Sequence, residues 1–430
     1  MKTKLLISLI TLCEIVNGQT WSPIGTGINT IVYSLATYNG ELYVGGNFTT
    51  AGGNPANNIA KWNGTTWSAV GTGMNGDVNT LAVYNGELYA GGLFTTAGNS
   101  PANYIAKWNG TTWSPLTTGI DWVVNALGVY NGELYIGGGF HTAGGISVNC
   151  IAKWNGTVWD SVGTGISGGI YHVNAFAVYN MQLYVAGDFS PNSTGRIAKW
   201  NGTAWSALSA VANSNIRTLA VYNSELYAGG GFDTIGVTYA KSIAKWNGTN
   251  WAPLATGMNH EVVTSANYGS ELYIGGRFTT AGGNPANYVA KWNGTTWSAL
   301  ASGTDGDVLT LAVYNSELYV GGSFSFAGSN FSDNIAKWNS PTGIEENFNQ
   351  TNINIFPNPF SSETIIKADK YFKNANLTIY NSLGQTIKTI KNISGQEYKL
   401  HRDNLSNGLY FIQLTQDNEV ITVDKLVITD

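Results

Sequence analysis

The sequence is short of cysteine, of charge and of histidine. Cysteine occurs twice, at Cys13 and Cys150. Cys13 falls in the leader described next, so the mature chain keeps only Cys150. An internal disulfide framework is thereby excluded, even outside the cell. Charged residues make up 11% of the chain and the formal net charge is -5. That balance offers no basic patch for a nucleic-acid partner. No stretch after the leader is apolar for long enough to span a bilayer as a helix. What the chain has in quantity is glycine (54), tyrosine (23) and tryptophan (15). Gly-rich turns among many aromatics imply short strands rather than helices. A length of 430 residues leaves room for two or three domains.

The N-terminus reads as a secretory signal peptide over residues 1–18. Lys2 and Lys4 form the positive end, Leu5 to Leu12 a short apolar run, and Val16-Asn17-Gly18 the small-residue cleavage site, leaving Gln19 first. The run is too short for a stable anchor. Cys13 also admits a lipoprotein reading, against which the bulk of Leu12 stands.

An internal repeat governs residues 19–339. Trp21, Trp67, Trp113, Trp159, Trp205, Trp251 and Trp297 are spaced by 46 residues every time. A second series runs from Trp62 to Trp338 with the same spacing, which gives seven copies. In the second copy the expected strands are Val78 to Tyr84, Glu87 to Phe94, Tyr104 to Trp108 and Trp113 to Leu116. Asn85-Gly86 and Asn109-Gly110 supply the hairpin turns, since both residue types tolerate positive φ. A period in the forties with four short strands per unit predicts a seven-bladed β-propeller with four-stranded blades. The seventh copy ends at Trp338 without a fourth strand, while Trp21 to Ile24 is an orphan one. The N-terminal strand is therefore expected to close the last blade and so remove an open edge.

The unit NGELYVGG…NIAKWNGTTW resembles a kelch-type blade, with its double glycine in the second strand and its fourth-strand tryptophan. GGNFTTAGG stretches are also similar to a fungal cell-surface polarity-marker family. Kelch-like folds host oxidases, lyases and pure binding proteins, so the resemblance implies an architecture and no activity.

Composition shifts after Trp338. Residues 340–350 read as a linker, and residues 351–430 as a small β-sandwich of short strands separated by turns. The segment holds Ile355-Phe356-Pro357-Asn358-Pro359, Leu377-Thr378-Ile379-Tyr380-Asn381 running into Gly384-Gln385, Leu405-Ser406-Asn407-Gly408-Leu409-Tyr410, and Lys425-Leu426-Val427-Ile428. In that order these motifs resemble the type A C-terminal sorting domain of the type IX secretion system of Bacteroidota. The resemblance implies that Pro357, Asn358, Pro359, Gly384, Gly408, Tyr410 and Lys425 belong to a sorting signal. Its partner is the type IX secretion machinery, and its destination is the outer-membrane surface or the extracellular space. The residues alone also admit a generic Ig-like binding module.

Most chemistry-bearing residues of the repeat are locked to its period. Lysine precedes the second-series tryptophan in all seven copies, and glutamate opens the second strand in six, with Gln182 in the seventh. Cross-strand ion pairing explains them. Trp122 belongs to neither tryptophan series, and the fourth copy has a lengthened loop at Tyr171-His172. With His141 and Asp188 these residues are expected to gather on the face where the loops vary, which is where binding residues sit on a rigid scaffold. Aromatics beside polar groups suit a sugar or a peptide. No His-Glu zinc motif, nucleophile elbow or phosphate loop is present, and the copper ligands of a galactose oxidase have no local match. Asp305-Gly306-Asp307 is the one acidic turn suggestive of calcium. The expectation is a monomeric binding or adhesion propeller with an extracellular glycan or protein ligand, no catalytic residue, no metal and no cofactor. An extracellular carbohydrate-active hydrolase or lyase is the alternative, since paired carboxylates can come from distant segments.

Overall fold

The Asn-Gly corners turn the chain as their chemistry dictates: Asn39 and Gly40 have φ of 48° and 74°, the doubly left-handed corner of a tight hairpin. In a computed structural model of the chain, Asn-Gly corners join the first two strands of the first three repeats, and Asn180-Met181, Asn223-Ser224, Gly269-Ser270 and Asn315-Ser316 take that place in the other four. The structure describes residues 20–166, 172–189, 196–208, 212–339, 353–381, 385–416 and 419–430. The expected leader (1–18) and linker (340–350) lie outside the described residues. Every described regular element is a strand, and the chain divides into two compact units between Pro341 and Thr342.

In the first unit the repeats make seven four-stranded antiparallel sheets. Blade one comprises Val32–Tyr38, Glu41–Gly46, Ile59–Trp62 and Trp67–Ala69, in that order from the inside out. Blade two comprises Val78–Tyr84, Glu87–Gly92, Ile105–Trp108 and Trp113–Pro115. Its second strand ends two residues earlier than expected, because the chain leaves Gly92 for an extra small hairpin, Thr96–Ala97 against Ser100–Pro101. The innermost strands of successive blades neighbour one another, with the last, Asp307–Tyr314, beside the first. Thr20–Pro23 pairs with Ile335–Asn339, and Trp21 lies opposite Trp338, so the N-terminal strand completes blade seven.

The core lies between blades rather than on an axis. Tyr38, Tyr43 and Ile59 of blade one pack with Val78, Leu88 and Phe94 of blade two, and each seam repeats this pattern. The paired glycines allow it. A Cβ on Gly91 would lie 2.4 Å from a methyl of Val124 in the next blade, and one on Gly92 1.9 Å from the Asp77 carbonyl oxygen. Paired tryptophans face one another across the two outer strands, with Trp62 and Trp67 at 5.2 Å between ring centroids. The Trp67 indole N–H donates to the Ile24 carbonyl at 3.0 Å, stitching neighbouring blades. The expected ion pairs form in six blades, from Lys61–Glu41 at 2.7 Å to Lys337–Glu317 at 2.9 Å.

The second unit joins β-prone runs that the sequence presents as separate. Thr364 to Lys367 and Asn376 to Tyr380 belong to one strand, Glu363–Asn381, and its partner Thr386–His401 is also long. Register shifts between Lys367 and Leu377 bend the pair. One half of Glu363–Asn381 then pairs with Ile353–Phe356, and the other with Gly408–Gln416, which in turn pairs with Glu419–Ile428. The two halves close as a sandwich over one core that includes Ile366, Leu400, Ile379, Ile412 and Leu426.

Candidate functional site

Each innermost strand carries a β-bulge at its start, where one residue is left out of the pairing register. A bulge re-aims the side chain of its unpaired residue. The seven residues so placed are Tyr33, Asn79, Asn125, Asn174, Arg217, Val263 and Leu309, which fall at one position of the repeat. The position just before them holds only Val or Ile, each fully buried. Architecture therefore fixes the one position and leaves its neighbour free to differ.

All seven bulged residues line two open cavities, of about 430 and about 300 Å³. Asn79, Asn125 and Arg217 line both, so the two are sectors of one mouth at the ring of innermost strands. The larger sector adds Leu93, Trp122, Val123, His172 and Asp188. Trp122 is 53% exposed and packs on Tyr104 with the rings tilted, at 6.1 Å between centroids. Gly139 makes room here: a Cβ would meet the His172 ring at 2.7 Å and Trp122 at 3.3 Å. Around the rim the Asn79 amide donates to Oδ1 of Asn125, and the Asn125 amide meets Nδ1 of His172, both at 3.3 Å. With the amide as donor, His172 carries its proton on Nε2.

The smaller sector is built on charge. Glu261, 8% exposed, accepts from Asn215 and Arg217 on Oε1, both at 2.9 Å, and from Arg277 on Oε2 at 2.7 Å. Arg277 also reaches Asp307 at 2.9 Å. Burial pushes the Glu261 carboxyl up, but Arg217, Asn215 and Arg277 outweigh it and hold it below its ordinary value.

The residues expected from sequence divide. Trp122, His172 and Asp188 come together on the larger sector, where His172 and Asp188 are direct cross-strand partners. Asp188 also pairs with Arg196. Tyr171 lies outside the described residues. His141 is exposed and does not line the mouth; its backbone N–H donates to Oδ1 of Asp121 at 2.8 Å. That clamp is architectural, because Asn29, Asn75, Asn213, Asn259 and Asp305 form it in other blades. The acidic turn is likewise spent: Asp305 holds the N–H groups of Ser325 and Phe326, and Asp307 holds Arg277. Among the described residues no three His, Cys, Asp or Glu side chains cluster as metal ligands do. Sequence reasoning missed Asn79, Asn125, Asn174, Arg217, Glu261 and Arg277. Variation at a single repeat position beside an unvarying aliphatic was the available signal.

In the second unit Asn358 stitches the Pro357-Asn358-Pro359 segment to the final strand. Its amide donates to the Lys425 carbonyl at 2.7 Å and its Oδ1 accepts from Val427 N–H at 2.8 Å. Tyr410 donates to the Ser406 carbonyl at 3.0 Å, and Gly408 opens the strand that carries it. Gly384 lies outside the described residues.

Residues 354–429 match the Secretion system C-terminal sorting domain, and residues 16–132 match the Rax2 C-terminal beta propeller domain. The chain thus joins a β-propeller to a type IX sorting tail, which directs export to the cell surface or the extracellular space. Curated proteins give no match. Among solved structures, a fungal alcohol oxidase of the AA5 family, in complex with copper, is 12% identical. The alignment covers 96% of this chain and all of that one, with a TM-score of 0.50. The β-propeller domain of Cps50 (Swd1) from Myceliophteria thermophila is 10% identical, covering 74% of this chain and 99% of its own, with a TM-score of 0.47. At such identities the likeness concerns fold alone.

Proposed function

We propose that this protein is an exported binding propeller whose channel mouth takes an extracellular glycan. In this reading residues 1–18 are a removable leader, 19–339 a kelch-like propeller of a Bacteroidota species, and 351–430 the signal read by the type IX translocon. One observation carries the binding assignment: seven bulges present seven side chains at one mouth, at a repeat position freed from architectural constraint. Trp122 supplies an apolar platform, and the asparagine amides supply paired donors and acceptors, the combination that suits a sugar's faces and hydroxyls. A hydrolase needs a carboxyl that keeps its proton near neutrality. Glu261 is held in the opposite direction, and Asp188 is paired with Arg196, which favours binding over cleavage.

A glycan array probed with the purified protein, and read for both retention and product release, tests this. Retention without release supports it, and release of shortened saccharides overturns it. For the export route, a chain lacking residues 353–430 should stay in the periplasm; its normal delivery to the surface would refute the sorting assignment.

A further inference from the structure

Of the seven bulged positions one is charged, Arg217. It stands at the end of an alternating ladder of charge that crosses three blades. Asp307 pairs with Arg277 at 2.9 Å, Arg277 with Glu261 at 2.7 Å, and Glu261 with Nε of Arg217 at 2.9 Å. The next partner in that alternation is an anion, and no described residue supplies it: the two terminal nitrogens of Arg217 make no hydrogen bond to any described residue. Arg217 lines both sectors of the mouth, so that free edge belongs to the cavity. With Nε occupied, the guanidinium offers its outer pair of donors, the fork that fits an oxyanion in bidentate fashion. Its orientation is fixed by a carboxylate that is itself buried and triply bonded. The acid of the larger sector, Asp188, is answered by Arg196, so it does not cancel Arg217.

We infer that the ligand is an acidic saccharide, whose carboxylate or sulfate oxygens sit on the outer edge of Arg217 while its sugar ring lies toward Trp122. This rests on the glycan-binding reading above and names the class of glycan. The carboxylate and sulfate sources share one chemistry, an oxyanion on a pyranose, and the experiment separates them.

The test is calorimetric titration of the purified protein with oligogalacturonate, its methyl ester and a sulfated galactan. Wild-type protein should bind one of the two anionic probes about thirtyfold more tightly than the neutral ester. Arg217→Gln should abolish that preference while circular dichroism shows the fold retained, at a lower thermal midpoint because buried Glu261 loses one of its three partners. Arg217→Lys, which keeps the charge but loses the fork, should keep only part of it. The preferred anionic probe then identifies carboxylate or sulfate as the source. Binding of both anionic probes no tighter than the ester, or an anion preference that survives Arg217→Gln, overturns the inference and leaves glycan binding standing. Absence of binding to every saccharide, on the array as well, overturns both.

Discussion

The Tyr314 hydroxyl donates a hydrogen bond to the carbonyl of Gly40 at 3.1 Å, tying the end of the last innermost strand to the first hairpin of the ring. The same bond joins Tyr38 to Gly86 and Tyr84 to Gly132, so the seam that closes the ring is built like the others. These bonds lie at the Asn-Gly corners of the blades, while the seven bulges lie at the opposite end of the same strands. A scaffold stitched at one end of each strand can thus vary freely at the other.

Closure depends on the N-terminal strand. Trp21 is 2% exposed, packs on Trp338 at 4.8 Å and donates to the Leu300 carbonyl at 3.1 Å. Trp21→Ala should cost about 3–5 kcal/mol in denaturant unfolding. Deleting residues 19–25 should lower the thermal midpoint and expose an edge that self-associates. An unchanged midpoint with monomeric elution would show that blade seven does not need its partner strand.

The two glycines of each second strand should differ in tolerance. A Cβ on Gly91 meets a side-chain methyl, which can shift, and the fourth repeat already carries Ala186 at that position. A Cβ on Gly92 meets a backbone oxygen, which cannot shift without breaking strand pairing. Gly91→Ala should cost about 1–3 kcal/mol and Gly92→Ala more. Equal costs in urea unfolding would contradict the packing described.

The second-strand tyrosines set an alkaline limit. Burial, with the nearby glutamates as a smaller cause, pushes Tyr43, Tyr89 and Tyr227 up to about 12 from an ordinary 10.0. A folded-state value above the unfolded one means that the stabilisation is complete below pH 10 and is lost as pH rises through about 12. Circular dichroism and tyrosinate absorbance, followed together, should change cooperatively in that window. Ionisation of these tyrosines near pH 10 with the fold intact would contradict their burial.

The blades were legible because a repeated sequence must use the same residues for the same contacts. The spacing of Trp62 and Trp67 recurs with every turn of the period, and the Lys61–Glu41 pair with every turn but the fourth, where Gln182 stands for glutamate. The mouth was legible only where a residue broke the period visibly. Trp122 and His172 did so, through a misplaced tryptophan and a lengthened loop. Arg217 and the asparagines did not, since they sit within a regular strand pattern and their aim depends on a bulge, which hydrophobic alternation does not reveal. His141 also differs from its equivalents, but it does not line the mouth, and its backbone N–H joins a clamp shared by other blades. In the tail, Thr364 to Lys367 and Asn376 to Tyr380 read as two short β-prone runs, where register shifts merely bend one strand.

The central claim is that the ring of bulges is the binding surface. The most direct measurement compares glycan-array binding of two triple variants, each checked for an unchanged thermal midpoint. One replaces Asn79, Asn125 and Trp122 with alanine at the mouth. The other replaces Val129, Val178 and Met181, exposed beside the first hairpin corners of blades three and four, with serine. The mouth variant should lose the wild-type binding pattern by about a hundredfold or more, given about 1 kcal/mol per lost contact, and the other should keep it. Retention of the pattern by the mouth variant, or its loss in the other, would contradict the claim.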